Sequence, residues 1–130
     1  SETCQGIGAN FAMAINDPFS LGQLAEWGGD DPLLTIYDHE LAFLRMTIGQ
    51  TNAYATGVVQ AANIGNNMAV YTQTNLARQL KNVALLISGG LQTKIYTVSL
   101  GGFDTHSGQV TGGNPLDGEH ADLLETLSDA

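Results

Sequence analysis

The chain has 130 residues, 43% of them hydrophobic and 16 of them glycine, enough apolar material for one core of domain size and enough glycine for many tight turns. Four Lys and Arg against 13 Asp and Glu give a formal charge of −9, which repels nucleic-acid backbones and anionic membrane surfaces. No run reaches the ~18 consecutive apolar residues of a membrane span, and the lone cysteine, Cys4, has no internal disulfide partner.

Residues 1–37 are rich in Gly, Asn, Asp and Pro, with short apolar runs such as Phe11–Ile15 and a break at Asp17-Pro18. This composition predicts an irregular region with one or two short strands. Trp27 leads into the turn cluster Gly28-Gly29-Asp30-Asp31-Pro32. Two adjacent carboxylates raise calcium as a ligand, but the alternating acidic positions of a calcium loop are missing and a solvated acidic turn is the simpler reading.

From about Tyr37 to Ala62 the pattern turns helical, with Leu41, Leu44 and Ile48 at spacings of three and four, Asp38 able to cap the start, and Gly65-Asn66-Asn67 closing the run. Gly49 and Gly57 predict a kink or a closely packed neighbour. Asp38-His39-Glu40 has ligand-type residues, yet adjacent helix positions diverge, so a helix cap with a surface histidine is favoured. A second helix is predicted over Asn75–Ser88, with Leu76, Leu80, Val83, Ala84 and Ile87 as its stripe, Thr74 as cap and Gly89-Gly90 as stop. Arg78 and Lys81 fall on its solvent face, where they could steer an anion if that face borders a site.

Thr93–Leu100 reads as a buried strand, and helix, short loop and strand together make half of a βαβ crossover. The expected fold class is therefore α/β: part of a mostly parallel sheet flanked by helices, with the irregular Gly-rich region in front and residues 38–130 running helix, helix, strand, loop, helix. Ligands of such sheets collect beyond the carboxyl ends of the strands. There Gly101-Gly102-Phe103 leads into Asp104-Thr105-His106. Side chains at i and i+2 of an extended segment point the same way, with Cα atoms roughly 7 Å apart at ~3.3 Å per residue. A carboxylate and an imidazole so placed suit zinc or a similar divalent ion, which could polarise a phosphoryl or sulfuryl oxygen. Gly101 and Gly102 leave space for a substrate, and Ser107 and Gln109 are further candidate contacts; the alternative is that Asp104 and His106 only hydrogen-bond the loop to itself. Val110–Leu116 reads as a mobile loop gating the strand ends. Asp117 is expected to cap a last helix with Ala121, Leu124 and Leu127 on one side, and His120, near its start, is a third metal-ligand candidate or a structural residue.

The stretch from Leu76 onward, carrying Ala77-Arg78-Gln79-Leu80-Lys81-Asn82-Val83-Ala84, then Val98–Gln109, then His120 and Leu123-Leu124, resembles the bacterial family catalogued as domain of unknown function 1501. The resemblance covers about 55 residues strongly and implies kinship to the alkaline phosphatase and sulfatase superfamily. It implies an exported, periplasmic or secreted protein, often with a twin-arginine signal, that acts as a metal-dependent hydrolase on an anionic phosphate or sulfate ester. Asp104 and His106, with His120 third, are the positions it carries over to a divalent metal, zinc or calcium. Gly108 stands where the family usually has Asn, so no side-chain contact is carried over there. The superfamily's nucleophile segment has no counterpart in this chain. The start at Ser1-Glu2-Thr3 and the stop at Leu127–Ala130 within an amphipathic pattern predict a piece of a protein several hundred residues long, so that the remainder of its own polypeptide is a partner of this segment. A non-catalytic envelope or cell-surface binding module is the alternative function.

Overall fold

The computed structural model describes residues 12–26, 28 and 35–130. The expectations for Cys4, the turn cluster around Trp27 and the Asp30-Asp31 pair lie outside the described residues.

Three helices organise the chain: α1 (Ile36–Ile64), α2 (Asn75–Ser88) and α3 (Glu119–Ser128). The expected parallel sheet is absent among the described residues, where the one β-type pairing is an isolated bridge between Thr111 and Asn114. Thr93–Leu100 supplies the apolar, β-branched composition of a strand, but among the described residues no segment pairs with it through main-chain hydrogen bonds, and a sheet exists only through such pairing. The region before α1 likewise forms no strand among its described residues.

Helix α1 starts in a capping box. The Thr35 side chain accepts from the Asp38 N–H at 3.2 Å, and the Asp38 carboxylate accepts from the Thr35 N–H at 2.8 Å. Asp38 thus occupies the third helical position, and the cap is Thr35, upstream of the residue that composition suggested. The helix runs unbroken through Gly49 and Gly57; Leu91 lies 3.9 Å from where a Gly57 Cβ would stand. Its buried stripe is Asn52, Ala55, Val58, Ala61 and Ala62, all in the second half. Leu44, expected inside, is half exposed, as are Phe43 and Met46.

Helix α2 has the predicted bounds, with the Thr74 hydroxyl accepting from the Ala77 N–H at 3.2 Å. It buries Leu76, Ala77 and Leu86, whereas Ile87 of the expected stripe is exposed. The two helices meet at their carboxyl ends. A Cβ on Gly65 would run into the Leu85 carbonyl, and one on Gly89 would run into Ala61 backbone, so the crossing requires both glycines for backbone approach rather than for unusual dihedrals. Val58, Ala61, Ala62 and Leu86 form the core, covered by Ile15, Leu21, Tyr54, Leu85, Leu91 and Tyr96.

Two segments without regular structure are bound to this helix pair by side-chain amides. Asn52 accepts from the Leu24 N–H at 2.8 Å and donates to the Leu24 carbonyl at 2.9 Å and to Glu26 Oε1 at 2.9 Å. Gln79 does the same at Ser99, donating to its carbonyl and accepting from its N–H, both at 3.0 Å. One amide can engage the N–H and C=O of a single residue only where that residue is extended, because in a helix the two groups point in opposite directions. Burial also alternates from Tyr96 to Leu100, the period of two of an extended chain. Tyr96–Leu100 therefore has the shape of a strand, beyond a bend at Lys94, and lacks a strand partner among the described residues.

Candidate functional site

Gln79 fixes Ser99 against α2, and the chain then leaves the helix pair through Leu100, Gly101 and Gly102. Gly102 has φ +98°, a conformation that any other residue adopts only with strain, and a Cβ there would stand 3.4 Å from the Leu123 side chain of α3. Gly101 faces open space. The turn at Gly102 places Phe103 on α3, where its ring meets His120 edge to face with centroids 6.2 Å apart.

Beyond Phe103, Thr105 is buried while Asp104 and His106 on either side of it project to solvent, with side chains 81% and 85% exposed. Thr105 is the inward residue of this stretch, and the chain turns at His106. Asp104 Oδ1 and His106 Nδ1 are in direct contact. His120 does not join them; its ring is engaged by Phe103, and no group of three or more His, Cys, Asp or Glu side chains gathers anywhere among the described residues.

Ser107 and Gln109, the further candidate contacts, are exposed on the same loop. The segment beyond them is tied to itself rather than spread over strand ends. Thr111 N–H donates to Asp117 O at 2.7 Å, Asn114 N–H to Thr111 O at 3.0 Å and Asp117 N–H to Asn114 O at 3.1 Å. Glu119 N–H donates to Gly108 O at 2.9 Å, joining the loop to the first turn of α3. The residue before that helix is Gly118, at φ +128°, and no side chain caps it; Asp117, the expected cap, spends its backbone on the loop instead. Side chains Glu119 and Asp122 in the first turn are favourable to the helix dipole.

The donor set fits one edge of a divalent ion. A carboxylate oxygen and an imidazole nitrogen in contact with each other are donor types that suit zinc better than calcium, which prefers oxygen alone. They provide two of the roughly three or four protein ligands of a tight zinc site. A groove of about 460 Å³ lies elsewhere, between the carboxyl ends of α1 and α2, where the Tyr54 and Thr93 hydroxyls are 2.6 Å apart; it holds no member of the Asp104 loop.

Several residues that build this arrangement gave no functional signal in the sequence. Neither Gln79 nor Thr105 carried a functional assignment in the sequence. A glutamine next to the apolar stripe of α2 was the available sign, since a buried or half-buried amide requires partners. Comparison with known proteins finds no matching family, no curated relative and no solved structure similar to this chain.

Proposed function

We propose that the chain is part of an exported metal-dependent hydrolase acting on phosphate or sulfate esters, and that Asp104 and His106 hold its divalent ion. The meeting of these two side chains at the exposed tip of a loop supports this reading most directly, and the resemblance of residues 76–130 to the domain-of-unknown-function 1501 family suggests the substrate class. Such an ion, when bound, polarises an ester oxygen and lowers the pKa of a bound water. The role of the chain's own residues is positional. Buried Thr105 anchors the loop between the carboxylate and the imidazole, the Gly102 turn sets the loop on α3, and open space at Gly101 admits a substrate beside the pair. Ser107 and Gln109 supply hydroxyl and amide groups for ester oxygens on the same exposed surface.

The direct Asp104–His106 contact also favours a second reading, in which the pair locks the loop and the chain is a non-catalytic binding module. Zinc analysis of the full-length polypeptide after equilibration with the ion and gel filtration separates the two. Under the first reading the wild type retains zinc and His106→Ala does not; under the second neither retains it. Hydrolysis of p-nitrophenyl phosphate and p-nitrophenyl sulfate by the zinc-loaded full-length polypeptide of which this chain is part then tests the ester class, and zinc retention there with no turnover of either would contradict the hydrolase part alone.

A further inference from the structure

The groove between the carboxyl ends of α1 and α2 is neutral throughout. Its walls belong to two runs without any Asp, Glu, Lys, Arg or His, Met46–Ala77 and Asn82–Thr93, in a molecule of net charge −9. From α1 come Tyr54, Gln60 and Ile64, and from the segment after α2 come Gly90, Gln92 and Thr93. Gln60 is exposed, and its side-chain amide makes no hydrogen bond among the described residues. Gln92 donates to the Gly90 carbonyl at 3.1 Å, which leaves its own side-chain carbonyl as an acceptor. Gly90 stands at φ +81° with open space where a side chain would be, so a ligand can approach the main chain there. The hydroxyls of this wall are unevenly paired. Thr93 Oγ1 lies 2.6 Å from Tyr54 Oη. The Tyr96 hydroxyl adjoins Thr93, yet it is buried without a hydrogen-bond partner, a condition rare in folded chains. Thr93 is thus held by Tyr54 at the expense of Tyr96.

We propose that this groove binds a neutral saccharide of one or two rings. Its volume of about 460 Å³ falls in the range of small-molecule clefts, about 300–1,000 Å³. Saccharide hydroxyls both donate and accept, and the amides of Gln60 and Gln92 and the hydroxyls of Tyr54 and Thr93 answer them in both directions without charge. The apolar faces of the rings meet Tyr54 and Ile64. A ligand hydroxyl bonded to Tyr54 releases Thr93 to pair with Tyr96, so a hydroxyl-bearing ligand supplies, through Thr93, the partner that Tyr96 lacks. An apolar ligand leaves Tyr96 as it is. An anion finds no counter-charge in the lining and is repelled by the net charge, as is a second copy of the chain.

Titration of the full chain without added metal tests this, followed through the side-chain amide resonances of Gln60 and Gln92 and the ring resonances of Tyr54 and Tyr96. Glucose, maltose and cellobiose serve as neutral probes, glucose 1-phosphate as an anionic one and toluene as an apolar one. At least one neutral saccharide is expected to shift all four residues saturably at one common affinity. Glucose 1-phosphate should bind at least about tenfold more weakly than that saccharide at low salt, and toluene should leave Tyr96 unmoved. Gln60→Ala, at an exposed position where the fold is indifferent, should weaken saccharide binding roughly three- to tenfold, as loss of one hydrogen bond does. Tyr54→Phe should weaken it by a similar factor and abolish the saccharide-induced shift of Tyr96, because Thr93 is then already released. The proposal is overturned if none of the three saccharides shifts these resonances, if glucose 1-phosphate or toluene binds as tightly as they do, or if Gln60→Ala binds like the wild type. A Tyr96 response that survives in Tyr54→Phe overturns the exchange of partners at Thr93. Shifts that follow protein concentration without any ligand would assign the groove to a second copy and overturn the proposal equally.

Discussion

Asn52 occupies a position in the α1 stripe where its neighbours are Ala55, Val58 and Ala61, and an apolar residue there would satisfy the periodicity equally well. Its amide instead replaces a missing strand for Leu24, meeting both main-chain groups and the Glu26 carboxylate. Substituting leucine keeps the volume while leaving those groups without partners. Asn52→Leu is therefore expected to destabilise the fold by about 1–3 kcal/mol, read as a lower urea midpoint with an unchanged slope. Tyr96 is a second residue whose environment has a measurable effect. Burial raises its phenol pKa above the ordinary 10.0, so the fold favours the neutral form. The stabilisation is fully present below pH 10 and is lost as pH rises through the folded value. Alkaline titration monitored by tyrosinate absorbance and circular dichroism together should show late ionisation of one tyrosine coinciding with loss of helix, and Tyr96→Phe should delay that loss. Asp17 runs the other way. The Ser20 hydroxyl and the Phe19 N–H stabilise its carboxylate and lower its pKa from 3.8, so its contribution is present above that value and fades as pH falls through the folded one.

At the scale of elements, the contact between the ends of α1 and α2 depends on glycine for a steric reason. Gly89→Ala places a methyl group against Ala61 backbone, which has no flexible side chain to yield, and is expected to cost at least about 2 kcal/mol through displacement of the helices. Gly49→Ala, with open space around it in the same helix α1, should stabilise by roughly 0.5–1 kcal/mol through helix propensity. Thermal melts of the two variants should move in opposite directions. The helices were legible because their signals are local: Thr74, the α2 stripe and Gly89 lie within one window of sequence. The sheet was not, since Thr93–Leu100 carries the composition of a strand but pairing depends on a second segment that local pattern does not specify. Leu86 rather than Ile87 enters the core for a related reason. Which side of an amphipathic helix is deepest is set by the neighbour's shape, here the alanines of α1, and not by hydrophobicity alone.

For the whole molecule, the sequence made the Asp104 loop recognisable and left its surroundings open. Two glycines before Asp-Thr-His marked a candidate site, and the side chains of Asp104 and His106 do meet. His120 was placed near the loop by position in α3, but its engagement with Phe103 is set by how α3 docks under Gly102, which no local pattern encodes. The distribution of charge has the same global character: acidic ends flank a basic body. No described helix is long and apolar enough to cross a membrane, and the exposed Ile36, Tyr37, Phe43 and Met46 on the first half of α1 make that half dependent on its Thr35–Asp38 capping box rather than on packing. Thr35→Ala should cost about 1 kcal/mol and lower hydrogen-exchange protection there before affecting α2.

Zinc titration of isotopically labelled protein, monitored through the side-chain resonances of Asp104, His106 and His120, addresses the metal assignment most directly. Saturable shifts of the His106 ring nitrogens and the Asp104 carboxyl carbon at one common affinity, with both responses lost in either single alanine variant and the His120 ring unmoved, are the predicted result. Resonances of Asp104 and His106 that stay in place as zinc is added, or that respond with different affinities, would contradict it.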